Sequence, residues 1–223
     1  HSSYLYSYIY DAFMVLENNI YKEEKMKILI ACEYSGIVRN AFAAKGHDAW
    51  SCDILPTESP GNHFQGDVLE HLDKGWDMMI AHPPCTHLAV SGARWFTEGK
   101  KPWSLQEDAL NFVRKLLAAP INKIALENPV SVISTKIKKP NQIIQPFEYG
   151  HDVTKKTCLW LKNLPNLKPT KIVKPDIVFV NGKKMSRMHY ESFKLPAKER
   201  GKVRSKFYTG IAEAMADQWG NDG

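Results

Sequence analysis

The chain has 223 residues, 43% hydrophobic and 24% charged, a balance that suits one well-buried domain carrying at most a small appendage and excludes a disordered chain. No apolar run approaches the roughly 20 residues that a spanning helix needs. The opening stretch from Tyr4 to Leu16, broken by Asp11, lacks the basic start and small-residue cleavage site of a secretory signal, so no membrane partner and an intracellular, cytoplasmic setting are expected.

The formal charge of +6 is unevenly placed. Between His151 and Lys206 stand 15 Lys or Arg against 4 Asp or Glu, which leaves the rest of the chain net negative. Such segregation suits a face turned toward phosphate, although a solvated Lys-rich surface is the plainer reading. The four cysteines, Cys32, Cys52, Cys85 and Cys158, are widely spaced with no CxxC pair, which points to free thiols and no metal centre. His63, His71 and His82 read as surface or supporting residues, because no second pair of ligands stands at metal spacing.

Residues 1–25 read as an N-terminal extension ahead of the regular pattern. From Lys27 the chain alternates strand and helix. Ile28 to Ala31 is an apolar run, Ser35-Gly36 a turn, Val38 to Lys45 a helix closed by Gly46, and Asp48 to Cys52 a second strand. Met78-Met79-Ile80 predicts a third strand ending at Ala81-His82-Pro83-Pro84-Cys85. Leu105 to Leu117 has helical spacing and leads to a strand at Ile124-Ala125-Leu126. This order implies an α/β fold with a mostly parallel sheet covered on both faces, whose ligands sit at the carboxyl ends of its strands. After Pro129 the pattern fades into scattered prolines, short runs at Leu159 to Leu161 and Ile177 to Val180, and an Asn181-Gly182 hairpin signal. Thr209 to Trp219 predicts a final amphipathic helix.

Two strand ends carry unusual residues. Pro83-Pro84-Cys85 sets a thiol on a stiffened turn; nearby cations or helix dipoles would favour its thiolate, and His82, His87 and Arg94 are close in sequence. Read alone, such a cysteine is more often an inert one behind a strand. The next strand closes on Glu127-Asn128-Pro129, whose carboxylate would share the sheet edge with the sulfur and could hold or protonate a heterocycle. A lone Glu at a strand end more often caps or pairs. The combination favours chemistry.

In these motifs the chain resembles the DNA cytosine-5 methyltransferases, in particular compact phage-type members, over Lys27 to Trp219 and in the family's order. The resemblance implies a Rossmann-like S-adenosylmethionine-dependent methyltransferase fold with a mostly parallel sheet and a small basic inserted module. It divides the chain into a catalytic core at 26–162, a basic DNA-recognition module at 163–203 and a C-terminal helix completing the core at 204–223. Ile28 to Gly36 is similar to the cofactor-binding strand and turn, which implies contacts to S-adenosyl-L-methionine from Glu33, Tyr34, Ser35 and Gly36; the family's further glycines are replaced by Ile37-Val38-Arg39. Asp53 with Ile54 stands where the ribose-binding acid does, and Asp67 with Val68 where an Asp meets the adenine amino group. Asp77 to Cys85 is similar to the catalytic strand and loop, with Pro83 beside the cofactor, Cys85 as nucleophile and Thr86 where glutamine is common. Glu127-Asn128-Pro129-Val130 is similar to the Glu-Asn-Val element.

The resemblance further implies that the Cys85 thiolate adds to carbon 6 of cytosine while Glu127, held partly protonated by burial, serves ring nitrogen 3. The target base must be flipped from a duplex or presented single-stranded. Lys155-Lys156 occupy the place of the family's Arg-x-Arg. Phosphate contacts are expected from Lys155, Lys156, Lys183, Lys184, Arg187, Arg200 and Arg204. Ser91 to Phe96 is expected as a mobile loop over the base, and Trp95, Trp103 and Trp160 as stacking, core or lid residues. The alternatives are the same chemistry on RNA or with a modified donor, and a catalytically silent DNA-binding protein on this scaffold.

Overall fold

The computed structural model describes residues 25–205 and 207–221. Of the expected N-terminal extension, residues 1–24 lie outside the described residues. Strand β1 (Lys27–Ala31) shows how the rest is organised. Its alternate side chains enter different hydrophobic clusters: Ile28 and Ile30 face one side, and Leu29 and Ala31 the other. Strand β4 (Met78–Ala81) divides in the same way, with Met78 and Ile80 against Met79 and Ala81. An apolar run without polar alternation is what a strand covered on both faces requires. Each fully buried Leu, Ile or Met there contributes about 1.5–3 kcal/mol relative to exposure.

Three helices cover the faces. Helix α1 (Ile37–Ala44) and the last helix, Thr209–Trp219, lie on the first face, where Val38 and Phe42 meet Ile211, Met215 and Trp219. The helix at Ser104–Leu117 places Leu110, Val113 and Leu116 on the second. In chain order the helices after α1 are α2 (Arg94–Thr97), α3 (Ser104–Leu117), α4 (Ile133–Lys136), α5 (Arg187–Ser192), α6 (Ala197–Ser205) and α7 (Thr209–Trp219). No helix of the described residues is long and apolar enough to cross a membrane.

The main sheet has seven strands in the order β3-β2-β1-β4-β5-β7-β6, adding β2 (Asp48–Asp53), β3 (His63–Gln65), β5 (Lys123–Pro129), β6 (Gln142–Ile144) and β7 (Thr157–Lys162). Strands β3, β2, β1, β4 and β5 run parallel to one another, and β7 runs antiparallel between β5 and β6. This is the Rossmann-like, mostly parallel α/β fold expected from the sequence, with the strand order reversing at β1 and β4, where such sheets bind ligands.

Strands β3 and β6 were not expected. Each is three residues long and too short to show a period, and each is held by its neighbour's ladder. The short run at Leu159 to Leu161 is part of a buried strand in this sheet: Leu159 and Leu161 join the first cluster, Cys158 and Trp160 the second. Beyond it a separate ribbon, β8 (Ile177–Val180) and β9 (Lys183–Ser186), turns on Asn181 and Gly182, both at positive φ as this tight hairpin demands. Ser186 then caps α5 by accepting from the His189 amide at 3.4 Å.

Candidate active site

The sheet register aligns the strand ends. Ala31 pairs with Ala81 and Ala81 with Leu126, so the next residues, Cys32, His82 and Glu127, stand in one row at the carboxyl edge. On β2, Cys52 pairs with Ala31, which puts Asp53 beside Cys32 at the end of the same row. Cys32 takes φ +60°, which breaks the strand and turns the chain toward α1.

Around this row lies a cleft of about 340 Å³ lined by Cys32, Glu33, Tyr34, Ser35, Glu58, His82, Glu127, Lys155, Val203 and Phe207. The Nδ1–H of His82 donates to Glu127 Oε2 at 3.2 Å, and both side chains are largely buried. Phe207 covers the imidazole, ring centre to ring centre 4.6 Å. Burial pushes the Glu127 carboxyl up, but its hydrogen bond from His82 and the positive charges of His82 and Lys155 outweigh that, and the carboxyl is held below its ordinary range. Burial was expected to keep this carboxyl partly protonated. Within the protein itself the neighbouring cations supply more than desolvation removes, and packing of the target base, on which that expectation rests, would add to the desolvation.

Cys85 does not line this cleft, yet the loop that carries it is tied to the strand end that carries Glu127. The Asn128 amide donates to the Pro83 carbonyl at 2.8 Å. Val90 N donates to Val130 O (3.2 Å) and Val132 N to Leu88 O (3.0 Å), with Ala89 and Ser131 bridged, so the loops after the two motifs are zipped together. The Cys85 residue is exposed. Even so, partial desolvation of its thiol and the Glu127 carboxylate raise its pKa above the ordinary thiol value, against the opposing pull of Lys155 and a backbone amide. The resting group is therefore a thiol. Of the cations near in sequence, none is turned to it: His82 faces Glu127, His87 meets Lys101 at 3.5 Å, and the Arg94 guanidinium lies 4.5 Å over Trp95.

At the glycine turn, Glu33 is buried and its carboxylate accepts from the amides of Val38 (2.7 Å) and Arg39 (3.2 Å) and from the Ser35 hydroxyl. It satisfies the start of α1 with negative charge where the helix dipole favours it. Gly36 sits at φ +74°, and a Cβ there would meet Ser59 Oγ at 2.2 Å and Arg39 Nη2 at 2.4 Å. Arg39 is fully buried: its guanidinium reaches Ser51 Oγ, Thr57 Oγ1, Ser59 Oγ and the carbonyls of Ser59 and Pro60, locking residues 57–62 beside the turn.

Asp53 accepts from Leu55 N at 2.9 Å, and Asp67 accepts from Leu69 N at 3.0 Å, capping the short turn that begins at the buried Val68. Both acids, with Cys52, raise the Cys32 thiol, whose burial is the larger cause. Ile54 beside them is 75% exposed. Glu33, Tyr34 and Ser35 thus line the cleft with Glu127, Asp53 and Asp67 flank its Cys32 end, and Pro83 is buried under Asn128.

No family model matches the chain, and no curated protein does. Among solved structures it is similar to a prophage-encoded protein from E. coli described as a DNA modification methyltransferase, at TM-score 0.39 and 15% identity over 69% of this chain and 57% of that one. It is also similar to an rRNA methylase from Escherichia coli, at TM-score 0.35 and 11% identity over 67% and 62%. The chain spans less than two thirds of either protein.

The basic residues separate into distinct environments. Lys155 is at the cleft, its ammonium donating to Arg204 O at 3.0 Å. Lys156, Lys183 and Lys184 are exposed, and so is Arg187, which pairs with Asp176 at 2.6 Å. Arg200 donates to Leu195 O at 3.1 Å, and Arg204 donates to Ser192 Oγ at 2.8 Å with its guanidinium 4.7 Å over Phe193. These two arginines hold the module together internally. Trp160 is buried and donates to Lys138 O at 2.7 Å, whereas Trp103 is 58% exposed against Phe96. Sequence reasoning gave no role to Arg39, took Asn128 only as part of the Glu-Asn-Val element, and read His82 as a supporting residue or a cation near Cys85 rather than as the partner of Glu127; the signal for that pairing was its place directly before Pro83-Pro84-Cys85, at the end of a strand beside β5.

Proposed function

We propose that this chain methylates carbon 5 of cytosine in DNA, using S-adenosyl-L-methionine. The observation that carries the reading is the joining of the Cys85 loop to the Glu127 strand end, through the Asn128–Pro83 hydrogen bond and the zipped loops behind it. A sulfur and a carboxylate so fixed suit addition to a pyrimidine ring, where one group bonds carbon 6 and the other serves nitrogen 3.

The surroundings of the strand ends fit the donor. Asp53 offers acceptors for ribose hydroxyls, the exposed Ile54 offers an apolar face for a flat ring, Asp67 offers an acceptor for an exocyclic amine, and Tyr34 and Ser35 border the cleft. When bound, S-adenosyl-L-methionine supplies an electrophilic methyl group. Cys85 loses its proton and adds to carbon 6, which makes carbon 5 electron-rich; Glu127 delivers a proton to ring nitrogen 3, which neutralises the charge that develops there. A base stacked in a duplex hides carbon 6, so the cytosine is taken out of the stack at a cost of a few kcal/mol or met single-stranded. The exposed Lys156, Lys183, Lys184 and Arg187 supply phosphate contacts.

The test uses the full chain with methyl-labelled donor and duplex or single-stranded DNA. The expected result is label in 5-methylcytosine and a covalent adduct through Cys85 on an oligonucleotide containing 5-fluorocytosine. Label confined to RNA or to another base, or no label and no adduct, overturns the reading.

A further inference from the structure

His82 is buried against Glu127, and yet its other ring nitrogen, Nε2, has no hydrogen-bond partner among the described residues. A buried imidazole bonded on one side only is costly as pure architecture. Its neighbours are unequal. Glu127 on β5 accepts from it, Lys155 from the loop before β7 brings a positive charge, and Phe207 ahead of α7 shields it from water. Cys32, Glu33, Tyr34 and Glu58 complete the lining on the side of β1. Glu127 is held ionised and a carboxylate oxygen only accepts, so the proton of this hydrogen bond is carried by His82 Nδ1.

We infer that His82 is a positioning residue which sets Glu127 through its Nδ1–H and stores the proton that ring nitrogen 3 takes during addition. The inference rests on the cytosine reading above. As the Cys85 sulfur, its own proton already lost to water, bonds carbon 6, His82 Nδ1 gives its proton to the Glu127 carboxylate, which passes it on to nitrogen 3. The imidazolium becomes neutral imidazole, keeping its Nε2 proton. When the carbon 6–sulfur bond breaks after the carbon 5 proton has gone to a base, nitrogen 3 returns its proton by the same route.

His82→Asn is the discriminating variant. Its amide can still donate to Glu127 from the Nδ1 position but cannot carry a proton charge. With wild-type protein, kcat is expected to fall about tenfold per pH unit on an alkaline limb. In His82→Asn that limb disappears and kcat at neutral pH drops by about 10²-fold or more, while KM for DNA stays within about twofold. A variant that keeps the wild-type limb and kcat overturns the inference. A wild-type protein without transfer activity overturns the cytosine reading instead, so the two failures are distinguishable.

A second measurement needs neither activity nor a folded His82→Asn. In ¹⁵N-labelled wild type, the His82 resonances are identified by the ring-current shift lost in Phe207→Leu, and Nδ1 is expected to carry a proton. A bare Nδ1 with the proton on Nε2 overturns the inference.

Discussion

The carboxyl edge of the main sheet and the basic module from β8 to α6 are built on opposite terms. At the edge, polar groups are buried and committed: Glu33 to the start of α1, Arg39 to residues 57–62, His82 to Glu127 and Asn128 to Pro83. The ribbon instead leaves Phe179 74% exposed, with Lys183 and Lys184 in water on the facing strand. Groups that must meet a reacting ring within fractions of an ångström belong on a packed scaffold. On the proposed function, groups that follow a flexible polyanion are better left hydrated.

This contrast breaks first at Cys85. Cys85→Ala is expected to abolish methyl transfer and the 5-fluorocytosine adduct, with an unchanged melting temperature because the residue is exposed; loss of folding in this variant would count against the contrast. Glu127→Gln comes next, with kcat falling about 10²–10⁴-fold. The same variant reports on electrostatics. The thiol of Cys85 is raised by burial and then by Glu127, so its alkylation speeds up only as pH climbs through that raised value. Removing the carboxylate shifts the rise to lower pH, so iodoacetamide reacts several-fold faster at pH 7 in Glu127→Gln than in wild type; equal rates would show that the two groups do not sense each other.

Arg39→Ala measures the rigidity of the edge directly. Leaving the partners of its guanidinium unsatisfied is expected to cost about 2 kcal/mol or more, lowering the melting temperature by roughly 4–8 °C. The smallest structural effect belongs to the module. Lys183→Ala with Lys184→Ala should leave melting unchanged, weaken DNA binding across sequences and reduce the slope of log affinity against log salt by about 2. A drop in melting temperature without a change in slope would mark the ribbon as architecture.

What could be read from the residues follows the same division. The strands β1, β4 and β5 were legible because both of their faces are apolar, and α7 was legible to the residue from its period. Cys85 and Glu127 announced themselves through their prolines and their strand-end positions. His82 and Asn128 did not, because their roles depend on which strands are neighbours: a hydrogen bond spanning 45 residues has no local trace in the chain. Arg39 was hidden for the same reason, since its partners lie on β2 and in residues 57–62. The favourable cations expected around Cys85 failed because nearness in sequence ignores the direction in which each side chain leaves the turn. Arg200 and Arg204, expected as phosphate ligands, also engage Phe193 and Ser192, contacts that a list of charges does not show.

Helix α7 packs on α1, and Phe207 just ahead of it roofs the imidazole of His82 at the carboxyl edge of the sheet. A nascent chain still lacking that stretch has β1 and α1 in place but their outer apolar side bare, a state that invites holding by chaperones. This face of the core therefore closes only when the stretch from Phe207 to Trp219 has been made, through a contact between two segments far apart in the sequence.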